Sequence, residues 1–539
     1  MPREPVERKL RRWIDEFHRG YHELERGLWD TWWRANTDAS KENQVALAKC
    51  EETYRRFLAD PRRHARLRSF SRHETDDALL ARQQLVITRL LEMNRLDEDL
   101  IGRIVPLEVE IDSEFSNFRA TFQGEAVPDN RLKEVLRQTD DPAVARQAWE
   151  ASKQIAPRVA KRVVELVGLR NQAAHALGHD NYHRMALELD ELPADALFDL
   201  LERLAEATET PFVETKREID AELAARFAIS TEELMPWHYG DPFFQSGPRM
   251  KGVDLDRFYR DQTLDELTRR FYSGIGLDVD EILRRSDLYE RPGKCQHAFC
   301  VHVDRSGDVR VLCNLRADEE WMSTMLHEFG HAVYDKYLDA ELPLILREPA
   351  HTLTTEAVAM LFGRLSRQRD FLVRVAGAMP ADADAVSARA VKAAKQSELV
   401  FTRWALTVVH FERELYADPG QDLDGLWWRL VERYQHLRPP AGREAPDWAS
   451  KIHIATSPVY YQNYLLGNLL ASQLQRRLLD ETLGGAESLV DRPEVGRFLR
   501  DEIFRAGKRT SWQELVVRTT GRELDLTAFV EEFSYSPGS

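Results

Sequence analysis

Cysteine is nearly missing from this chain: Cys50, Cys295, Cys300 and Cys313 are the only four in 539 residues. So few thiols do not make a disulfide framework, and they are expected to stay reduced in a cytoplasm. Apolar runs long enough to cross a bilayer are missing as well, so no membrane span is expected. There is no excess of positive charge: 75 Lys and Arg stand against 91 Asp and Glu, a formal net charge of −16. Nucleic acid and anionic membrane surfaces are thereby disfavoured as partners. The first residues are basic (Arg3, Arg8, Lys9, Arg11, Arg12), but no apolar segment follows them, so a secretory signal is not expected. Long low-complexity linkers and internal repeats are lacking too. What remains is 43% hydrophobic, enough to bury a large core in a length that usually suggests more than one domain. These properties fit a soluble enzyme.

Most of the chain reads as helix. Leu10, Trp13, Ile14, Phe17, Tyr21, Leu24 and Leu28 recur at three- and four-residue steps, the stripe of an amphipathic helix. Charged, Ala/Leu/Arg-rich stretches continue the pattern from about Lys41 to Arg226. Breaks fall at Pro242 to Pro248, Arg291-Pro292-Gly293, Asp418-Pro419-Gly420 and Leu437-Arg438-Pro439-Pro440. One segment alternates with a period of two: His297, Phe299, Val301 and Val303 against Ala298, Cys300 and His302. A turn at Asp304 to Asp308 and a strand-like Val309 to Cys313 complete a predicted β-hairpin. Its edge could hold an extended peptide by backbone hydrogen bonds.

Directly after that hairpin comes His327-Glu328-Phe329-Gly330-His331, the pattern HExxH, in a run from Trp321 to Leu338 that has no proline. With 16 histidines in the chain, the pattern arises by chance at odds of about a few per cent. On a helix the two imidazoles lie one turn apart on one face, where they can bind one zinc ion. Glu328 then projects beside the metal and can take a proton from the attacking water. Three downstream residues are candidates for a third ligand. Glu348 and His351 lie in or just after a proline-rich connection, and Glu356 lies in the helical-looking Thr352 to Phe362. Glu356 is favoured, because a second buried helix would complete a His/His/Glu site with one open position. A further cluster, Lys451-Ile452-His453-Ile454 with Tyr460-Tyr461-Gln462-Asn463-Tyr464, offers donors suited to a developing oxyanion, although such residues alone are more often core or interface.

Several segments together resemble the angiotensin-converting-enzyme-like peptidyl dipeptidases and, more distantly, thimet oligopeptidase and oligoendopeptidase F. They are Leu28-Trp29-Asp30 with Asn36-Thr37-Asp38, Leu166 to Ala173, Cys295-Gln296-His297-Ala298 with Cys313, Trp427 to Pro440, Lys451 to Ile454 and Gly507 to Gly521. The resemblance implies a mainly α, two-lobed helical zinc-peptidase fold with a deep central channel and a small hairpin beside the active site. It implies one zinc-peptidase domain over 1–539 in two lobes, with 1–100 as a helical lid region. It further implies one Zn2+ on His327, His331 and Glu356, and Glu328 as the general base. His453 and Tyr464 would stabilise the oxyanion. Lys451 and Tyr461 would grip a substrate's C-terminal carboxylate, and His297 and Ala298 would contact substrate.

Some positions depart from that family. The step from His331 to Glu356 is 25, one more than in the converting enzymes and equal to thimet oligopeptidase; His453 to Tyr464 carries one extra residue. Tyr239 is taken to stand where the family has the Gln that helps bind the carboxylate. Asn463 stands where it has a chloride-binding Arg, and Met360 where it has an Asp that orients a ligand. The family's hairpin disulfide is not expected for Cys295 and Cys313. The reading is a cytoplasmic zinc metallopeptidase acting on oligopeptides, most readily from the C-terminal end. The alternatives are an endo-acting oligopeptidase and a catalytically silent peptide-binding protein.

Overall fold

The structure, a computed structural model, describes residues 5–70, 75–248 and 254–533. Arg3 lies outside the described residues. The chain is 70% helical with two small antiparallel two-stranded sheets, so the mainly α expectation is borne out. No helix among the described residues is long and apolar enough to cross a membrane.

The apolar stripe near the N-terminus is one face of a long helix, Val6–Thr37, which buries Leu10, Ile14, Phe17 and Tyr21. With the helices Lys41–Ala59, Pro61–Arg68 and Ala78–Met93 it encloses a core of its own, closed by Leu342, Ile345 and Leu346. From Leu100 to Phe533 a larger core runs through most of the remaining elements, and Trp33 with Val301, Val303 and Leu312 forms a third, small one. One member of the stripe is charged. Buried Glu25 accepts from Arg305 Nε at 2.7 Å and Nη2 at 2.5 Å, and from Tyr21 Oη at 2.7 Å. Arg305 sits in the turn of the predicted hairpin, so a forked, buried ion pair fastens the first helix to the hairpin.

That hairpin pairs Phe299–His302 with Val309–Leu312 in antiparallel register, Phe299 opposite Leu312 and His302 opposite Val309. Asp304 shapes the turn by accepting from the amides of Ser306 and Asp308. The first strand starts at Phe299 rather than His297. Upstream, the chain is drawn away from the ladder, with the Cys295 amide donating to Asn36 O and buried Lys294 donating to the carbonyls of Asp287, Tyr289 and Cys313. The other hairpin, Ala120–Phe122 with Glu125–Val127, falls in a stretch read as helical. Its turn, Gln123-Gly124, takes positive φ at both residues, 51° and 85°, a conformation that glycine supplies without strain.

Three helices position the site. HExxH lies on the motif helix, Glu319–Lys336, capped by Asp318, whose side chain accepts from the Trp321 amide at 2.9 Å. Glu319 and Glu320 in its first turn and Lys336 in its last suit the helix dipole. Glu356 lies on the carboxylate helix, Thr352–Gly363, and the third is the tyrosine helix, Gln462–Arg477. Ser323 meets Gly363, Gly330 meets Ala359 and His331 meets Thr355, so the motif and carboxylate helices run antiparallel. The crossings are close enough to need glycine. A Cβ on Gly330 would lie 2.6 Å from Ala359 Cα, and one on Gly467 2.8 Å from Glu356 Cβ. Gly467→Ala is therefore expected to cost about 1–3 kcal/mol of unfolding free energy. The control Gly168→Ala, whose Cβ meets nothing within 4 Å in mid-helix, is expected to be neutral or to gain up to about 1 kcal/mol. Urea denaturation of both variants checks this, and equal losses would contradict the packing argument.

Candidate active site

The HExxH pattern forms the expected geometry. His327 and His331 turn their Nε2 atoms toward each other, 3.2 Å apart. Glu356 Oε2 lies 3.5 Å from the first and 3.7 Å from the second. Donors placed tetrahedrally about a zinc ion at its usual bond lengths are about 3.3 Å apart, close to the edges of this triangle. The side chains are 26% and 16% exposed for the imidazoles and 2% for Glu356, so the group opens on one side only.

The chemistry of the donors fits a cation. Burial lowers His327 to about 4, and burial together with His327 holds His331 well below its usual value, so both rings are neutral and carry a lone pair. Burial raises Glu356 to about 7, against the hydrogen bond from Tyr460. Burial and the nearby Glu356 carboxylate raise Glu328 to about 8. Glu356 Oε2 is also a buried oxygen with no hydrogen-bond partner among the described residues. A buried carboxylate oxygen with no donor among the described residues, beside two neutral imidazoles and a second buried carboxyl, makes a site that suits a divalent ion.

The ligand atoms are oriented from outside. His331 Nδ1 lies 2.7 Å from Thr355 Oγ1, a partner that can accept the ring's proton and so suits a tautomer with its Nε2 lone pair toward the site. Tyr460 Oη donates to Glu356 Oε1 at 2.7 Å, leaving Oε2 for a metal. These two contacts stand where Met360 offers no acceptor. Sequence reading passed over both: Thr355 is simply the residue before Glu356, and Tyr460 is one of three clustered tyrosines.

The other two candidates for third ligand are used elsewhere. Glu348 forms ion pairs with Arg305 and Lys508, whose charges outweigh burial and hold it down to about 2. His351 caps the carboxylate helix: its Nδ1 accepts from the Leu353 amide at 3.0 Å, and its Nε2 lies 2.7 Å from Asp190 O.

Of the remaining candidates, His453 and Tyr464 both pack against Tyr461. His453 is on a short helix, Ile452–Thr456, and its ring packs edge-on against Tyr461 with centroids 5.4 Å apart. Burial and the charges of Lys451, His297 and Lys133 hold it near 3, and its Nδ1 is buried without a partner among the described residues. Tyr464, packed 5.2 Å from Tyr461, keeps its proton: burial and the carboxylates of Glu356 and Glu328 hold it well above the usual value. His297 and Ala298 lie just before the hairpin, where Asn130 Nδ2 donates to Gln296 Oε1 at 3.3 Å. His297 is crowded enough to be held near 4, chiefly by desolvation and then by Lys133, with Asp129 opposing. The four cysteines are unbridged.

One substitution read from the sequence is corrected. Tyr239 does not reach the Lys451 pocket: its hydroxyl accepts from Lys216 Nζ and donates to Asp220 Oδ1, both at 2.8 Å. The amide at the pocket is Gln245, whose Oε1 accepts from Lys451 Nζ at 2.9 Å. Nothing in the proline-broken segment marks Gln245 until folding brings it to a residue 206 positions away. Lys451 Nζ also lies 5.3 Å from the ring of Trp404, 5.6 Å from Tyr461 and 5.7 Å from Phe243. Trp404 Nε1 donates to Tyr461 Oη at 2.7 Å.

Comparison with known proteins completes the description. The Peptidase M2 family model, described as angiotensin-converting enzyme, matches residues 4–212 and 253–535. "Carboxypeptidase 1" of Bacillus subtilis is 24% identical over 371 residues, 64% of this chain and 68% of that protein. Mouse "Angiotensin-converting enzyme-like protein Ace3" is 22% identical over 440 residues, 75% of this chain and 59% of its own length. An "Inactive angiotensin-converting enzyme-related protein" of Caenorhabditis elegans is 23% identical over 247 residues, 44% of this chain and 27% of that one.

Each outer contact should be measurable in metal affinity. Thr355→Val and Tyr460→Phe are each expected to weaken zinc binding by about 10- to 100-fold, read by competition with a chromogenic chelator. Unchanged affinity in both would contradict the orienting roles.

Proposed function

The chain belongs to the angiotensin-converting enzyme family of peptidases, and from that premise we propose that it is a zinc-dependent metallopeptidase releasing dipeptides from the C-terminal end of short oligopeptides. The observation that carries the reading is the triangle of His327, His331 and Glu356 with the buried carboxyl of Glu328 beside it. Two lobes about a channel, covered by the first helices as a lid, would admit flexible peptides and exclude folded proteins.

His327, His331 and Glu356 would hold one zinc ion, which supplies Lewis-acid polarisation of the scissile carbonyl. Glu328 takes a proton from the attacking water on its carboxylate and later delivers it to the leaving amine. A group lifted toward neutrality by burial is suited to both transfers. His453, a neutral ring, donates its N–H to the carbonyl oxygen as charge builds there, and Tyr464 donates its phenol. At the other end of the cleft Lys451 supplies the charge that holds a substrate's C-terminal carboxylate. Gln245 Nε2 and Tyr461 Oη supply neutral donors, and His297 and Ala298 support the peptide from the hairpin side. A carboxylate fixed there sets the scissile bond two residues in, which is dipeptide release.

The endo-acting alternative keeps one argument, the 25-residue step from His331 to Glu356. Its second, an aromatic in place of the pocket amide, is removed by Gln245 beside Lys451. A silent peptide-binding protein is prompted by the relative named inactive, but the present site retains Glu328 beside all three metal-binding groups.

The test is mass spectrometry of an unstructured decapeptide with a free or an amidated C-terminus, with Glu328→Gln as control. Successive dipeptide losses from the free peptide alone are expected, and none with the variant. Internal cuts indifferent to amidation would replace this reading with an endopeptidase. A pH series gives a second test. Burial, with the charge of Lys133, lowers Lys451 to about 7, against the pull of Asp241 and Asp129. Its ammonium is therefore present below that pH and lost above it, so KM for free peptides should rise by up to about tenfold per unit above pH 7. A KM flat from pH 6 to 9 would remove Lys451 from carboxylate binding.

A further inference from the structure

The residue that brings Gln245 to Lys451 is a buried aspartate outside every motif above. Asp241 opens the irregular segment 241–246, and its carboxylate is spent on that segment's own backbone. Oδ1 accepts from the Phe243 amide at 2.7 Å; Oδ2 accepts from the Gln245 amide at 2.8 Å, the Ser246 amide at 3.2 Å and Ser246 Oγ at 3.4 Å. It is 8% exposed and has no ion-pair partner within hydrogen-bond distance among the described residues. A buried charge placed to shape a turn needs a reason beyond stability, since buried carboxylates are costly and turns are commonly made by exposed ones.

The surroundings suggest that reason. Pro242 O accepts from Trp149 Nε1 at 3.0 Å and from buried Lys153 Nζ at 2.8 Å. Gln435 Nε2 donates to the carbonyls of both Phe243 and Phe244 at 2.9 Å. Phe244, immediately before Gln245, is held at φ 51°, a left-handed conformation that a bulky L residue resists. The turn is thus forced into a shape its own residues do not favour, and it brings two side chains to Lys451. Phe243 packs 5.0 Å from Trp404 in the aromatic wall around Lys451, and Gln245 accepts from Lys451 itself.

We propose that Asp241 is a positioning residue for the substrate's C-terminal carboxylate: by fixing the amides of Phe243, Gln245 and Ser246 it holds the Gln245 carboxamide against Lys451, with Nε2 directed to the carboxylate. This deepens the peptidase reading and rests on it. Asp241 touches no substrate; it acts through Gln245, while its charge also favours the ammonium form of Lys451. Asparagine at 241 keeps one acceptor oxygen and loses the other, so the turn relaxes at Gln245 while the metal site, on other helices, is untouched.

The test is steady-state hydrolysis of the free-carboxylate decapeptide by zinc-loaded full-length protein carrying Asp241→Asn, Gln245→Ala, both together, or Lys451→Ala. Asp241→Asn is expected to raise KM by about tenfold with kcat within twofold. In the Gln245→Ala background it should add less than twofold at pH 6, below the Lys451 pKa, because the group it positions is gone. Multiplicative effects of the two substitutions, or a fall in kcat matching the rise in KM, would overturn the proposal and leave Asp241 a structural residue. If Lys451→Ala raises KM and Asp241→Asn does not, this proposal alone fails. If Lys451→Ala also leaves KM unchanged, the carboxylate-binding reading fails and takes the proposal with it. Should Asp241→Asn not fold, Asp241→Ser keeps a turn-forming hydroxyl, lacks the second oxygen and is read in the same way.

Discussion

A carboxylate oxygen with no donor among the described residues, Glu356 Oε2, buried beside two neutral imidazoles, is the constraint from which the rest of this structure follows. Such an atom is costly unless a cation meets it, and the cost is sustained only because the helix carrying it cannot move. Its helix lies between the motif helix and the tyrosine helix, the two most extensive helix contacts among the described residues, and each contact has a glycine at the crossing. Removing the freedom of that helix fixes Oε2 relative to the imidazoles to within the spacing a metal requires. Tyr460 and Thr355 then remove the remaining freedom of the side chains themselves.

The same logic extends to the cleft. The hairpin that precedes HExxH is fastened to the first helix by the Glu25–Arg305 pair and by Trp33 packed on Val301, Val303 and Leu312. The Lys451 pocket is walled by Phe243, Trp404 and Tyr461, drawn from three separate parts of the chain. In the proposed peptidase, fixed features of this kind would convert binding into correct placement of one bond.

How much of this was legible in the sequence depended on how local each feature is. HExxH is a spacing within one helix, and helical geometry alone brings the two imidazoles together. The hairpin was legible because alternation is local too, although its first strand starts at Phe299, since Lys294 and Cys295 are held by other partners. The short hairpin at Ala120–Val127 was missed: three-residue strands carry too little pattern to compete with the helical stretches around them. Glu356 was legible as the favoured one of three candidates, because it lies on a helical-looking segment, and the other two are engaged for reasons invisible in sequence, a salt-bridge network for Glu348 and a helix cap for His351. Gln245 and Tyr460 were not legible as functional residues at all, because each gains its meaning from a partner more than a hundred positions away. The assignment of Tyr239 failed for the same reason, since a tyrosine near the right place in the chain points instead to Lys216 and Asp220.

The most direct test of the account is a zinc titration of metal-stripped protein followed by its rate of peptide hydrolysis. Activity should be absent at the start, rise linearly and break at one equivalent of zinc per chain. Full hydrolysis without metal, or one equivalent bound with no hydrolysis, would contradict the claim that His327, His331 and Glu356 form the centre of a working peptidase.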